Sequence, residues 1–192
     1  MKEKTKIAIF ASGAGSNAQA IIDHSFRANY SVALIVTNNE NAGVLRFSDE
    51  YDIDALVIDR NTFYEDTVMV SFLKEQVIDV LVLAGFLWKI PDYLLDAFPN
   101  KIINIHPSLL PKYGGKGMYG INVHKAVFQA KETRSGKTIH MVNNEYDKGT
   151  ILLQKEISIA EEKSADDIAK KVLQLEHTYF PLTIEKFVKN LE

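Results

Sequence analysis

Five short runs rich in β-branched and aliphatic residues recur through the first half of the chain, with helix-like stretches between them. This alternation constrains the fold more than any other feature. The runs are residues 6–10, 31–36, 55–58, 79–84 and 101–105. Helices are expected from 17 to about 26, over 43–51, over 62–77 and over 91–97, where Pro91 suits a first helical turn. In 62–77, Phe63, Val70, Leu73 and Val77 recur at roughly helical spacing. The 79–84 run is almost wholly apolar, as expected of a strand covered on both faces. Repeated strand–helix units predict an α/β chain with three α/β/α layers around a Rossmann-like, mostly parallel sheet. Ligands of such sheets gather beyond the carboxyl ends of the strands, near the point where strand order reverses. Residues 13–17, 85–90 and 104–106 all follow expected strand ends.

The second half reads differently. Residues 111–120, PKYGGKGMYG, hold four glycines and a proline and are expected to form a loop. Residues 137–142 and 151–159 look like two strands able to pair as a hairpin, giving the sheet an antiparallel C-terminal portion. Ser164 suits the cap of a long helix running to about residue 190, with Asp166 and Asp167 in its first turn. Ile168, Val172 and Leu175 form its apolar stripe. With no repeat, linker or low-complexity tract, the 192 residues are expected to make a single domain, 1–192.

Composition narrows the function classes. The net charge is −3, with acidic and basic residues intermixed, whereas nucleic-acid binders carry a basic excess to meet phosphates. No nucleic-acid partner is expected. Without cysteine, disulfides, thiolate metal sites and cysteine nucleophiles are excluded. The apolar run at 7–11 is too short for a signal peptide, and no stretch nears the roughly 20 apolar residues of a membrane span. A soluble cytoplasmic protein with no membrane partner is therefore expected. The five histidines, His24, His106, His124, His140 and His177, show no metal-ligand spacing, and no G-x-S-x-G hydrolase motif occurs.

Three motifs offer chemistry. Gly13-Ala14-Gly15-Ser16-Asn17 joins a strand to a helix, where glycines allow close backbone approach and helix N–H groups face an anion. It lacks the third glycine and the acid of a dinucleotide fingerprint, and on spacing alone it is equally a ligand-free turn. In Asn104-Ile105-His106-Pro107, strand alternation turns the amide and the imidazole to one face, a pair able to polarise a carbonyl oxygen. An isolated Asn-x-His is, however, more often a histidine satisfied by backbone. Asp147 precedes a Lys-Gly turn and reads first as a turn former; beside His106 it would instead favour an imidazolium.

Taken together and in order, these motifs resemble the folate-dependent formyltransferase family. The carrying segments are Gly13–Asn17, Leu83-Ala-Gly-Phe86, Asn104-Ile-His-Pro-Ser-Leu-Leu-Pro111, Thr138-Ile-His140, Asp147-Lys-Gly149 and Gln174-Leu-Glu-His177. The likeness spans essentially the whole chain and is greatest to members that formylate glycinamide ribonucleotide in purine synthesis. It implies the formyltransferase fold, 10-formyltetrahydrofolate as formyl donor, and no metal. It also implies Asn104, His106 and Asp147 as the catalytic trio, His106 being an imidazolium held by Asp147. Gly15, Ser16 and Asn17 would hold the acceptor's phosphate, and Glu176 its ribose hydroxyls. Leu87, Trp88, Lys89, Ile90, Asn143 and Asn144, with Asn104 and Asp147, would receive the folate. A monomer or homodimer is expected.

The chain departs from the family pattern in three places. Trp88-Lys89 stands before Ile90 where members commonly carry arginine then isoleucine. Thr62-Phe63-Tyr64-Glu65 lacks an arginine frequent near residue 63, a cation that Arg60, Lys112, Lys116 or Lys125 would have to supply. The 112–120 loop lacks the proline expected after Tyr113. Methionyl-tRNA formyltransferases and formyltetrahydrofolate hydrolases share the trio but add domains, and sugar-amine formyltransferases remain an alternative. A phosphate-binding module without catalysis would need neither His106 nor Asp147.

Overall fold

A computed structural model describes residues 4–65 and 68–191. Seven strands form one sheet: β1 (Thr5–Phe10), β2 (Tyr30–Thr37), β3 (Asp54–Val57), β4 (Val80–Leu83), β5 (Ile102–His106), β6 (Arg134–Met141) and β7 (Ile151–Ser158). Their order is β3-β2-β1-β4-β5-β6-β7. The first five run parallel, while β6 pairs antiparallel with β5 and with β7. The expected fold class is therefore observed. The chain builds outward from β1 to β3, then returns to β4 on the other side of β1, so the order reverses between β1 and β4. There the loops beyond the two strands are tied together. Ser12 N–H donates to the Gly85 carbonyl (3.1 Å), and Leu87 N–H donates to Ser12 Oγ (3.0 Å).

Strand alternation divides the core between two faces. Ile7, Ile9, Val82, Ile103, Ile105 and Ile139 face α1 (Ser16–Ser25) and α7 (Ala165–Lys189), meeting Ile21, Phe180 and Ile184. Ala8, Phe10, Leu81, Leu83 and Ile102 meet Phe63 of α3 (Arg60–Glu65), Leu73 of α4 (Val68–Glu75) and Leu94 of α5 (Asp92–Ala97). Each fully buried aliphatic or aromatic side chain of this kind contributes roughly 1.5–3 kcal/mol.

Several expectations shift. Helix was expected over 62–77, of which residues 66 and 67 lie outside the described residues. Phe63 and Leu73 are buried as the spacing requires, but helix ends at Glu75, and Val77 is exposed with φ of 57°. β6 starts at Arg134, three residues earlier than expected, because it pairs with β7 as far as Ser158. Helix α6 (Ile121–Gln129) was not anticipated after the glycine loop; Val123 and Val127, one turn apart, are buried along with His124. The short helix near 43–51 is a 3-10 turn, Gly43–Leu45, followed by α2 (Arg46–Tyr51).

Along α7, Ile168, Val172, Glu176, Phe180, Ile184 and Val188 are buried in an unbroken four-residue repeat, with Pro181 and Thr183 buried beside it. Ile168 and Val172 are buried as the expected stripe requires, but Leu175 is only half-buried and the register continues through Glu176 instead. Ser164 caps the helix as expected, its Oγ accepting from Asp167 N–H at 3.1 Å.

Candidate active site

Strand register assembles the site. Asn104 and His106 alternate onto one face of β5, and their antiparallel partners in β6, His140 and Thr138, project from the same face. Asn104 Nδ2 lies 3.1 Å from His140 Nε2, while His140 Nδ1 lies 2.9 Å from the Met141 carbonyl and donates to it. With its proton on Nδ1, His140 is left to accept from the Asn104 amide. Gly149 permits this packing, because a Cβ there would stand 1.6 Å from the Met141 oxygen.

The loop beyond β6 brings in the carboxylate. Asp147 adopts a left-handed backbone, φ 57°, which Asp tolerates better than most residues. Its Oδ2 accepts from Gly115 N–H at 2.8 Å. Its Oδ1 stands 3.6 Å from both His106 Nδ1 and His140 Nε2, contacts that are electrostatic rather than direct hydrogen bonds. His106 Nε2 donates to the Tyr113 carbonyl at 2.8 Å, so in the neutral ring its Nδ1 lone pair faces Asp147.

Burial pushes His106 below the ordinary imidazole value. Asp147 and the Tyr113 carbonyl act in the opposite sense without offsetting it, and His140 adds to the lowering. Desolvation thus exceeds the pull of one carboxylate at 3.6 Å and disfavours the imidazolium form. For Asp147, burial raises the carboxyl, but His140, His106 and the Gly115 N–H together outweigh it and hold it below the ordinary value. His124 of α6 is also buried, which drives it down to about 4 with help from His106.

These groups line a cavity of about 780 Å³, within the range of small-molecule sites. Asn17, Leu87, Trp88, Lys89, Ile90, Asn104, His106, Asn143, Asp147 and Glu176 all contribute to its wall. Gly15, Ser16 and Asn144 are not among the lining residues. Gly15 opens α1 with φ of 80°, and a Cβ there would stand 2.8 Å from Val44 Cβ. Asn17 Nδ2 donates to Glu176 Oε2 at 2.6 Å, joining α1 to α7 on the cavity wall.

Trp88 stacks into an aromatic group with Phe63 (5.6 Å), Tyr64 and Phe86 (6.1 Å each between centroids). Beside this wall the Arg60 guanidinium covers the Tyr64 and Trp88 rings at 5.2 and 5.8 Å. Lys116 lines the cavity, whereas Lys112 pairs with Glu132 at 3.0 Å. Among the described residues, no group of three or more His, Asp or Glu side chains is arranged to hold a metal.

Sequence reasoning gave His140 and His124 no role. The alternating Thr138-Ile139-His140 segment held the signal for His140, but only the register with β5 sets it against Asn104.

In this doubly wound sheet the amide, imidazole and carboxylate of Asn104, His106 and Asp147 converge on one cavity, which also reaches Asn17 and Gly85 beside the switch point. The chain belongs to the formyl transferase family, whose pattern it matches over residues 5–184. It is 39% identical over 184 residues to the Arabidopsis thaliana "Phosphoribosylglycinamide formyltransferase, chloroplastic", an alignment covering 92% of this chain and 63% of that protein. The chain spans about three fifths of the length of the plant relatives it matches. It is 33% identical to phosphoribosylglycinamide formyltransferase of Bacillus subtilis, over 95% of this chain and 94% of that protein. The crystal structure of phosphoribosylglycinamide formyltransferase from Bacillus halodurans superposes with a TM-score of 0.87 at 34% identity, covering 97% of both chains.

Proposed function

We propose that the protein transfers the formyl group of 10-formyltetrahydrofolate to the amine of glycinamide ribonucleotide. The product is formylglycinamide ribonucleotide, in de novo purine (IMP) synthesis. The observation that carries this reading is the convergence of Asn104, His106 and Asp147 on a cavity also walled by Asn17 and Glu176.

In this reading the amine attacks the formyl carbon, and negative charge develops on the formyl oxygen. The Asn104 amide, with one N–H directed to His140, has a second N–H for that oxygen. Attack leaves the amine nitrogen with an excess proton. The His106 Nδ1 lone pair and the Asp147 carboxylate, 3.6 Å apart, are the nearest pair able to share it. Uptake converts His106 to an imidazolium beside the oxyanion, so the cation forms when it is needed. Collapse breaks the bond from the formyl carbon to N10 of the folate, and the stored proton goes to N10. Leu87, Trp88, Lys89, Ile90, Asn143 and Asn144 receive the folate, with Asn104 and Asp147 nearest its reactive end.

Gly15, Ser16 and Asn17 hold the acceptor's phosphate at the N-terminus of α1, where unpaired N–H groups favour an anion. Glu176 accepts from the ribose hydroxyls. The proposal extends to a single formyltransferase domain over 1–192, to a monomer or homodimer with no nucleic-acid partner, and to a cytoplasmic location. No helix among the described residues is long and apolar enough to cross a membrane.

The test is turnover. Mixed with 10-formyltetrahydrofolate and glycinamide ribonucleotide, the protein should release the deformylated folate. Turnover with another amine but not this one would overturn the acceptor assignment. His106→Ala should lower kcat by about 10²–10³-fold or more while leaving ribonucleotide binding nearly intact. Equal loss of both would count against the mechanism.

A further inference from the structure

Lys137 has no part in the chemistry above, yet it is fully buried. It lies on β6 on the face opposite His140 and Thr138, the face that Ile139 shares with Ile103 and Ile105 beneath α7. Its ammonium meets no hydrogen-bond acceptor among the described residues. From α7 it is faced by the Tyr179 ring, 5.0 Å away, and by the charge of Glu176, one helical turn before Tyr179. From β7 it is faced by Lys155, its cross-strand partner, whose ammonium also approaches Tyr179, at 5.3 Å.

Glu176 occupies an apolar position in the repeat of α7 and is almost wholly buried, with the Asn17 amide as its hydrogen-bond donor. An ionised carboxylate there, with one amide donor, is costly unless a cation stands nearby. Burial raises the Glu176 carboxyl above its ordinary value, while Asn17 and Lys137 oppose that rise. Burial also lowers Lys137, to about 8, with Glu176 opposing. Each of these buried charges thus favours the other's ionised form.

We propose that Lys137 is a positioning residue for acceptor recognition: its ammonium beneath α7 keeps Glu176 a carboxylate on the cavity wall, ready to accept from a ribose diol. A carboxylate accepts hydroxyl hydrogen bonds about twice as strongly as a neutral carbonyl, so its charge state sets acceptor affinity. The inference rests on the reading of Glu176 as the ribose-binding side chain.

Lys137→Met removes the charge and keeps most of the stem. At neutral pH it should raise the KM for glycinamide ribonucleotide about tenfold, through loss of the charge-assisted hydrogen bond to the ribose diol, without changing kcat or the donor KM. That KM should fall again toward alkaline pH as Glu176 ionises, and in a Glu176→Gln background Lys137→Met should add nothing. A purely structural role would move stability, not this pH profile. An unchanged acceptor KM in a folded Lys137→Met protein would overturn the proposal, as would equal losses in kcat and both KM values. If Glu176→Gln itself leaves the acceptor KM unchanged, the ribose reading of Glu176 fails instead. The carboxyl stretch of the wild-type protein supplies a readout independent of any variant. An ionised Glu176 at neutral pH is expected, and a protonated one would overturn the inference.

Discussion

At the site His106 is held by two opposed forces, desolvation that disfavours its cation and the Asp147 carboxylate that favours it. Removing the carboxylate leaves desolvation alone. Asp147→Asn should therefore lower the His106 pKa further below 6.5, a shift measurable by NMR titration of the ring protons. A rise would mean that Asp147 does not act on His106 as a charge. The same substitution should lower kcat, because the transferred proton loses one of its two bases. The residue types were legible beforehand: Asn104 and His106 declared a common face by their spacing. Asp147 did not declare its contact, since a left-handed turn residue beyond a strand carries no periodicity that points at a partner. The downward push on His106 was hidden too, because it depends on how much water the surrounding fold excludes.

Among the elements, α7 shows how a helix delivers one polar group to a cavity. Its repeat of every fourth residue anchors it on the sheet and carries Glu176 inward with the apolar positions. The N-terminus is fixed by Ser164, which accepts from Asp167 N–H and donates to Asp167 Oδ2 at 2.6 Å. Ser164→Ala should cost about 1 kcal/mol in urea denaturation, the usual loss of an N-cap. Because Glu176 lies three turns along the helix, kcat and both KM values should be unchanged; a loss of activity at retained stability would show that the cap orients the site. Pro181 stands inside the same helix without an N–H for the preceding turn, and packing of Phe180 and Ile184 on the sheet holds the segment helical. Helix α6 passed unseen because its apolar face comprises little more than Val123 and Val127, too short a pattern to stand out after four glycines.

For the molecule as a whole, the sheet carries both the stability and the site. β1 lies between β2 and β4, and Ile9 is buried against α1 and α7 on one face of it. Ile9→Ala should lower stability by about 2–5 kcal/mol, read by denaturant unfolding, through lost burial and the cavity left behind. A cost well below that range would mean that the layers collapse to fill the space. The switch point between β1 and β4 brings the Gly13–Asn17 and Gly85–Ile90 loops side by side, and the antiparallel addition of β6 supplies His140 and Lys137 from its two faces.

The sequence by itself determined the order of the strands, the mostly parallel class of the sheet and the common face of Asn104 and His106, while Asp147 and Glu176 stood out through the segments that carry the family resemblance. Each rests on local periodicity, or on motifs a few residues long. Tertiary structure alone decided that Asp147 and His140 meet His106 and Asn104, that burial disfavours the His106 cation, and that Lys137 lies buried against the Tyr179 ring of the helix that carries Glu176. Those outcomes depend on antiparallel register, a left-handed turn and the exclusion of water by the surrounding elements, all of which arise between segments distant in sequence.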